Sequence, residues 1–249
     1  MDKKIALVTG GVGGIGSAIC KRLVEQGHFV VANYIIPGTE TKYLDSMAAA
    51  GFDASCTAVA CGDVTSYESM GEMAARIAKD HGPVQILVNC AGITRDSTFR
   101  KMTPEQWRLV IETNLTSVFN VTRHVIDGMC ERGWGRVINI SSVNGVRGQF
   151  GQTNYSAAKA GILGFTKALA QEVIRKGVTV NAVSPGYVET EMVAAIREDV
   201  KQQIVAQIPA GRLGSPDEIA ESVAYLASEK AAYVTGANLS INGGLHMYA

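Results

Sequence analysis

The sequence is short of the features that mark most special classes of protein. Its 249 residues include 5 cysteines and 4 histidines. The cysteines (Cys20, Cys56, Cys61, Cys90 and Cys130) are odd in number, scattered and never spaced as Cys-x-x-Cys. That argues against a disulfide framework and a zinc site, and for reduced thiols in a cytoplasmic protein. His28, His81, His124 and His246 show no ligand spacing either, so no metal is expected. Neither sign of charge is in surplus, since Lys+Arg and Asp+Glu are both 23. The strong basic field of a nucleic-acid binder is therefore absent, although a local basic patch would still hold an anionic substrate. No apolar run approaches the ~18–20 residues of a membrane span. The apolar start Ile5-Ala6-Leu7-Val8 stops at Thr9-Gly10-Gly11. It is shorter than the roughly 7–15 residues of a secretory leader's core and reads as a first strand. No Pro/Ser-rich linker, charge block or repeat divides the chain.

What is there is a 47% hydrophobic chain in which short β-branched runs alternate with helical stretches. Strands are expected at residues 5–9, 29–32, 54–60, 86–89, 137–140, 178–183 and 239–241. Helices are expected at 15–26, 40–50, 66–80, 104–130 and 154–175, the fourth opened by the cap-and-first-turn pair Thr103-Pro104. Continuous apolar strands between helices imply a parallel sheet covered on both faces. The expectation is one doubly wound Rossmann-type α/β domain over 1–249, with a seven-stranded parallel sheet. Residues 186–216, with a helical segment at 191–206, leave this alternation after a strand end and are a candidate substrate lid.

Strand one runs into Gly10-Gly11-Val12-Gly13-Gly14-Ile15-Gly16. Glycines between a strand and a helix allow a tight turn and let the first helical N–H groups approach a pyrophosphate. Two spacings fit, Gly11-x-Gly13-x-x-Gly16 and Gly10-x-x-x-Gly14-x-Gly16. A nicotinamide dinucleotide site that prefers NADH places an acid at the end of strand two, on the ribose 2′-hydroxyl. Here that stretch is Asn33-Tyr34-Ile35-Ile36-Pro37-Gly38, with no carboxylate before Glu40 and Lys42 as the nearest cation. Absence of the acid favours NADPH. Asp63-Val64 follows strand three, where Asp63 either accepts from the adenine amino group or serves the turn before the next helix.

Tyr155 and Lys159 are four residues apart on a helix and share a face. A phenol titrates near pH 10, and a neighbouring ammonium is expected to lower that value towards acid–base duty. Ser142 ends strand five, where side chains face the ligand crevice, and it is expected to donate to a substrate carbonyl beside Tyr155. Ser141 reads as a turn residue. Asn114 lies mid-helix, a poor place for an amide, and either bends the helix or binds a relay water.

With these residues in view the chain resembles the short-chain dehydrogenase/reductase family over its whole length. The matching pieces are Thr9 to Gly16 in the second spacing, Asp63, Asn89-Cys90-Ala91-Gly92, Asn114, Ser142, Tyr155 with Lys159, and Pro185-Gly186. The resemblance implies a catalytic tetrad of Asn114, Ser142, Tyr155 and Lys159. It implies coenzyme contacts from Gly10, Gly13, Gly14, Ile15, Gly16, Asn33, Tyr34, Asp63, Val64, Asn89, Ala91, Gly92, Tyr155 and Lys159. Pro185, Gly186 and Val188 would border the nicotinamide, and Thr190 would contact its carboxamide or the phosphates. Cys90 departs from the family's second Asn, with little functional loss expected. Ile93 to Asp96, Phe99 to Thr103 and Ser142 to Gly145 are similar to the family's β-ketoacyl reductases. The run Gly148 to Tyr155, Pro185-Gly186-Tyr187 and the ending Asn242 to Met247 are similar to its acetoacetyl-CoA reductases of polyhydroxybutyrate synthesis. That likeness implies an acyl-CoA substrate, (R)-3-hydroxybutyryl-CoA as product, and an acyl pocket lined by Asp96, Ser142, Gln149, Phe150, Gln152, Tyr155 and Tyr187. The alternatives are a 3-oxoacyl-(acyl-carrier-protein) reductase and, from another class, a non-catalytic dinucleotide-binding protein. An acidic carrier or the CoA phosphates would need a basic patch, which Arg123, Arg132, Arg136, Arg175 and Lys176 are expected to supply. The helices at 104–130 and 154–175 carry surplus apolar surface, and the resemblance implies a homotetramer.

Overall fold

The computed structural model describes residues 3–190, 193 and 197–247. The β-branched runs pair into one sheet. β1 (Ile5–Val8), β2 (Phe29–Tyr34), β3 (Thr57–Cys61), β4 (Ile86–Asn89), β5 (Gly135–Ile140), β6 (Val178–Pro185) and β7 (Asn238–Ile241) lie in the order β3-β2-β1-β4-β5-β6-β7. All neighbours are parallel. The chain works outward from β1 to β3, returns to β4 beside β1, and works outward again. The reversal between β1 and β4 opens a crevice beyond the carboxyl ends of those strands.

Parallel neighbours require crossovers, here mostly helical. The helices are α1 (Gly14–Glu25), α2 (Thr39–Ala49), α3 (Tyr67–Asp80), α4 (Pro104–Ile111), α5 (Ser117–Glu131), α6 (Asn144–Arg147), α7 (Thr153–Val173), α8 (Glu198–Gln207) and α9 (Pro216–Ala227). Alternate side chains of each strand point to opposite faces, and this divides the core in two. Ala6 and Val8 of β1 pack with Ile19 and Leu23 of α1, Met47 of α2 and Ile219 and Val223 of α9. Leu7 packs on the other face with Met70, Met73 and Ile77 of α3, Val125 and Met129 of α5 and Val173 of α7.

Three elements differ from the sequence reading. β3 begins at Thr57 rather than Ala54, because the Asp53 carboxylate accepts from the Ser55 amide (2.9 Å) and folds that stretch into a turn. The helix expected over 104–130 is two helices joined by a π turn at Glu112–Thr116. α9 has no counterpart in the sequence reading. It begins with a reciprocal Ser215–Glu218 capping box and Pro216 in its first turn, and it forms the crossover to β7. Within the candidate lid, the expected helix over 191–206 corresponds in the described residues to α8, while Glu191, Met192 and 194–196 lie outside them. The excursion leaves and returns at one place. Tyr187 and Glu189 exchange backbone hydrogen bonds with Gly214 (2.9 and 2.8 Å), in a parallel bridge between Val188 and Gly214.

Candidate active site

The glycine turn lies at the reversal point. A Cβ on Gly16 would come within 2.2 Å of the Gly10 carbonyl, so only glycine lets α1 start so close to β1. At Gly13 the same atom would meet nothing nearer than 3.5 Å, and Gly13 and Gly14 are both exposed. No side chain caps α1. The first amides of α1 thus face an open, positively polarised surface, which suits a diphosphate. Thr190 borders it, its side chain within 3.2 Å of a Cβ placed on Gly14. The residues here fit a nicotinamide dinucleotide.

Two buried polar residues hold this turn. The Thr9 hydroxyl accepts from the amides of Cys90 (3.0 Å) and Ala91 (3.1 Å), tying β1 to the loop after β4. Asn33 accepts from the Gly10 amide (3.2 Å) and donates to the Gly62 carbonyl (2.9 Å), tying the turn to the loop after β3. Asn33 is 2% exposed, which corrects the expectation that it contacts the coenzyme: its amide is fully engaged inside the protein. Tyr34, next along, is partly exposed at the crevice edge. Val64 is buried, and its carbonyl accepts from Asn120. Asp63 turns one carboxylate oxygen onto the Thr65 amide (2.9 Å) and hydroxyl (2.7 Å), while the helix cap itself is Ser66. Arg76 donates to the Cys61 carbonyl (2.9 Å), and Cys61 pairs in register with Tyr34. A cation therefore stands at this end of the crevice. No local motif announces it, because it comes from a helix 42 positions after Tyr34 (76 − 34).

Ser142, Tyr155, Lys159 and Asn114 gather on the other side of the reversal point. Asn114 and Lys159 converge on Gly92, where a Cβ would lie 3.1 Å from Asn114 Oδ1 and 3.5 Å from Lys159 Nζ. The Ser142 hydroxyl accepts from the Asn144 amide (3.1 Å), which leaves its own proton free to donate. Ser141 donates to the Lys159 carbonyl (2.8 Å), a structural bond, as its turn reading implied. Asn154, fully buried, accepts from the Tyr155 amide (2.8 Å) and donates to the Arg95 carbonyl (3.1 Å), fixing the start of α7.

Two expectations meet the geometry here, and the second needs correction. Asn114 is fully buried in the π turn, where its side chain pairs with both the amide and the carbonyl of Ile93, each at 2.8 Å. Its side chain therefore holds the Gly92–Ile93 edge, and the π turn is the bend in the helix that its position implied. The Tyr155 hydroxyl is pushed up to about 12, not down, because burial outweighs the favourable contact from the Ser142 hydroxyl. Lys159 Nζ donates to the Ile140 carbonyl (2.8 Å) and lies 5.6 Å from the Tyr155 ring centre. Burial pushes the Lys159 ammonium down to about 8. Cys90 stands close enough to couple electrostatically to Lys159, and burial pushes its thiol up to about 11.

A chain of polar side chains lines the mouth. Gln152 donates to Asp96 (2.9 Å), Asn144 donates to Gln152 (3.0 Å), and Arg147 donates to Gln149 (3.0 Å). Phe150 is 86% exposed here rather than enclosed. Pro185 ends β6, and Gly186, Tyr187 and Val188 follow as the first residues of the excursion. Asn89 donates to Asn139 (2.8 Å) and Thr122 (3.1 Å), beneath the site. The expected basic patch lies elsewhere within the chain. Arg132 ends α5, Arg136 begins β5, and Arg175 and Lys176 follow α7, all at the amino edge of the sheet. Arg136 is buried against Glu229, and Arg123 is paired with Asp127. Among the described residues no acid, histidine and cysteine cluster could hold a metal, and no helix is long and apolar enough to cross a membrane.

The family model described as enoyl-(acyl carrier protein) reductase matches residues 11–246. Nodulation protein G of Azospirillum brasilense is 59% identical to this chain over 99% of both. An acetoacetyl-CoA reductase of Allochromatium vinosum is 57% identical over 98% of this chain and 99% of its own. A 3-oxoacyl-(acyl-carrier-protein) reductase of Vibrio cholerae is 45% identical over 99% of each.

Proposed function

The chain belongs to the short-chain dehydrogenase/reductase family, and from that premise we propose that it reduces acetoacetyl-CoA to (R)-3-hydroxybutyryl-CoA with NADPH. The observation that carries this reading is the convergence of Ser142, Tyr155 and Lys159 at the carboxyl edge of the sheet, beside a glycine turn that suits a diphosphate. A binding module would need no such acid–base set. When bound, the coenzyme supplies the hydride to the keto carbon. Ser142 donates to the keto oxygen and holds it, and Tyr155 gives that oxygen a proton as its charge develops. Lys159, recharged through a water held at Asn114, returns a proton to Tyr155, and the Asn114 side chain keeps the Gly92–Ile93 edge in place beneath it. Hydrogen bonds aimed at the developing alkoxide are the largest single contribution expected of such a site.

NADPH is favoured because Asn33 to Gly38 holds no carboxylate and Arg76 adds a cation beside Tyr34. The polar mouth formed by Asp96, Gln149, Gln152 and Tyr187 suits a short, polar 3-oxoacyl thioester better than a long hydrocarbon. Residues 186–216 act as the lid, hinged where Tyr187 meets Gly214. The enzyme works in the cytoplasm as a homotetramer. The second reading, reduction of a carrier-protein-bound 3-oxoacyl group, uses the same chemistry and is favoured by the Vibrio cholerae relative. Steady-state rates with acetoacetyl-CoA and with the carrier-linked thioester, each with NADPH and NADH, test the proposal. Acetoacetyl-CoA with NADPH is expected to give the highest kcat/KM; a strong preference for the carrier-linked substrate overturns the choice.

A further inference from the structure

The basic patch foreseen in the sequence lies at the far edge of the sheet, whereas Arg147 is a cation among the polar side chains of the mouth. Arg147 closes α6, the single helical turn that begins two residues after Ser142. Its guanidinium is partly buried and held by two neutral amides, Asn144 Oδ1 at 3.5 Å and Gln149 Oε1 at 3.0 Å. Arg22, Arg108, Arg123, Arg136, Arg197 and Arg212 each meet a carboxylate. Among the described residues no carboxylate lies within ion-pair distance of Arg147. The closest acid in the same chain of bonds is Asp96, kept apart by Asn144 and Gln152. Three of the five N–H donors of a guanidinium thus stay unfilled, in a fork that matches phosphate oxygens. Asn144, one of the two amides that hold the fork, is itself buried, and its backbone amide bonds Ser142. The cation is therefore fixed to the same loop as the group that holds the keto oxygen.

We infer that Arg147 binds a phosphate of the arm that carries the thioester. The inference rests on the thioester-reductase reading above. Coenzyme A and a carrier protein share this chemistry, since each presents phosphate tethered through pantetheine to the reacting acyl group. The Arg147→Gln variant compared on acetoacetyl-CoA and on acetoacetyl-pantetheine, which has no phosphate, tests it. The KM for the CoA thioester is expected to rise about tenfold, the loss of one charge-assisted contact, with kcat kept within about twofold. The KM for the pantetheine thioester is expected to stay as in the wild type. Arg147→Lys retains most of the affinity, and added salt weakens wild-type binding of the CoA thioester but not of the pantetheine thioester. The dephospho-CoA and carrier-linked thioesters separate the sources: a variant loss that disappears with the dephospho-CoA thioester assigns the 3′-phosphate, and an equal variant loss on the carrier substrate assigns the phosphate next to pantetheine. An equal KM rise on CoA and pantetheine thioesters, or no rise on either, overturns the inference. Failure of the underlying reading shows in the wild-type rates alone, whereas failure of this inference shows in the ratio between variant and wild type.

Discussion

At the residue scale the site depends on two desolvated groups whose protons are displaced in opposite senses. Desolvation disfavours the charged form of each, so the Tyr155 phenol is held protonated and the Lys159 amine gives up its proton more readily. A protonated phenol is the form a reductase needs, since it donates to the alkoxide. Lys159 limits the alkaline side. Its ammonium is complete below its folded value of about 8 and is lost as the pH rises through it. The kcat/KM for keto reduction is therefore expected to fall above about pH 8, and a rate profile level to pH 10 would contradict the role given to Lys159. Tyr155→Phe removes the donated proton and little packing. Turnover should fall by about 10²–10⁴-fold while thermal stability and coenzyme binding are kept. A variant with wild-type turnover would refute the assignment.

At the element scale the crevice is assembled by buried polar ties between strands and helices. Asn33 joins the glycine turn, β2 and the loop after β3. Asn33→Ala would leave the Gly10 amide and Gly62 carbonyl unpaired in a dry environment, at a cost of about 1–3 kcal/mol. The expected outcome is a lower denaturation midpoint and weaker coenzyme binding by titration, with kcat preserved at saturating coenzyme. Lost stability with unchanged coenzyme affinity would separate Asn33 from the turn.

Such ties mark the boundary of what the sequence makes legible. Strand runs such as Ile86 to Asn89 follow from continuous apolar stretches, and the Tyr155/Lys159 pair from a period of about four; both are local patterns. The distant groups that Asn33, Asn114 and Asn154 tie down, on Gly10, Gly62, Ile93 and Arg95, lie 21 to 59 positions away, so nothing near them tells a buried clamp from a ligand contact. The π turn is legible only in part. Asn114 marks an irregularity in mid-helix, but the form it takes depends on the fit of Asn114 against Ile93, 21 positions away. α9 had a visible signal in Ser215-Pro216 and Glu218, masked by the Gly/Pro-rich stretch before it.

At the scale of the whole molecule, α4 and α5 keep Trp107, Leu109 and Phe119 at 38%, 39% and 50% exposure. Tyr67 stacks on Phe119, and its ring centre lies 4.2 Å from that of His124, so the Phe119 part of this surface is packed against its neighbours. A face of this kind favours association. Light scattering is expected to give about four times the 26.4 kDa chain mass, and a monomeric mass would refute the tetramer.

The bridge between Val188 and Gly214 has a different consequence. A loop pinned at its neck behaves like a cassette clipped into a frame. The residues between the clips can be exchanged or lengthened without shifting a single sheet register, so the acyl groups admitted could diversify in descendants of this chain while the proton-transfer groups stay where they are.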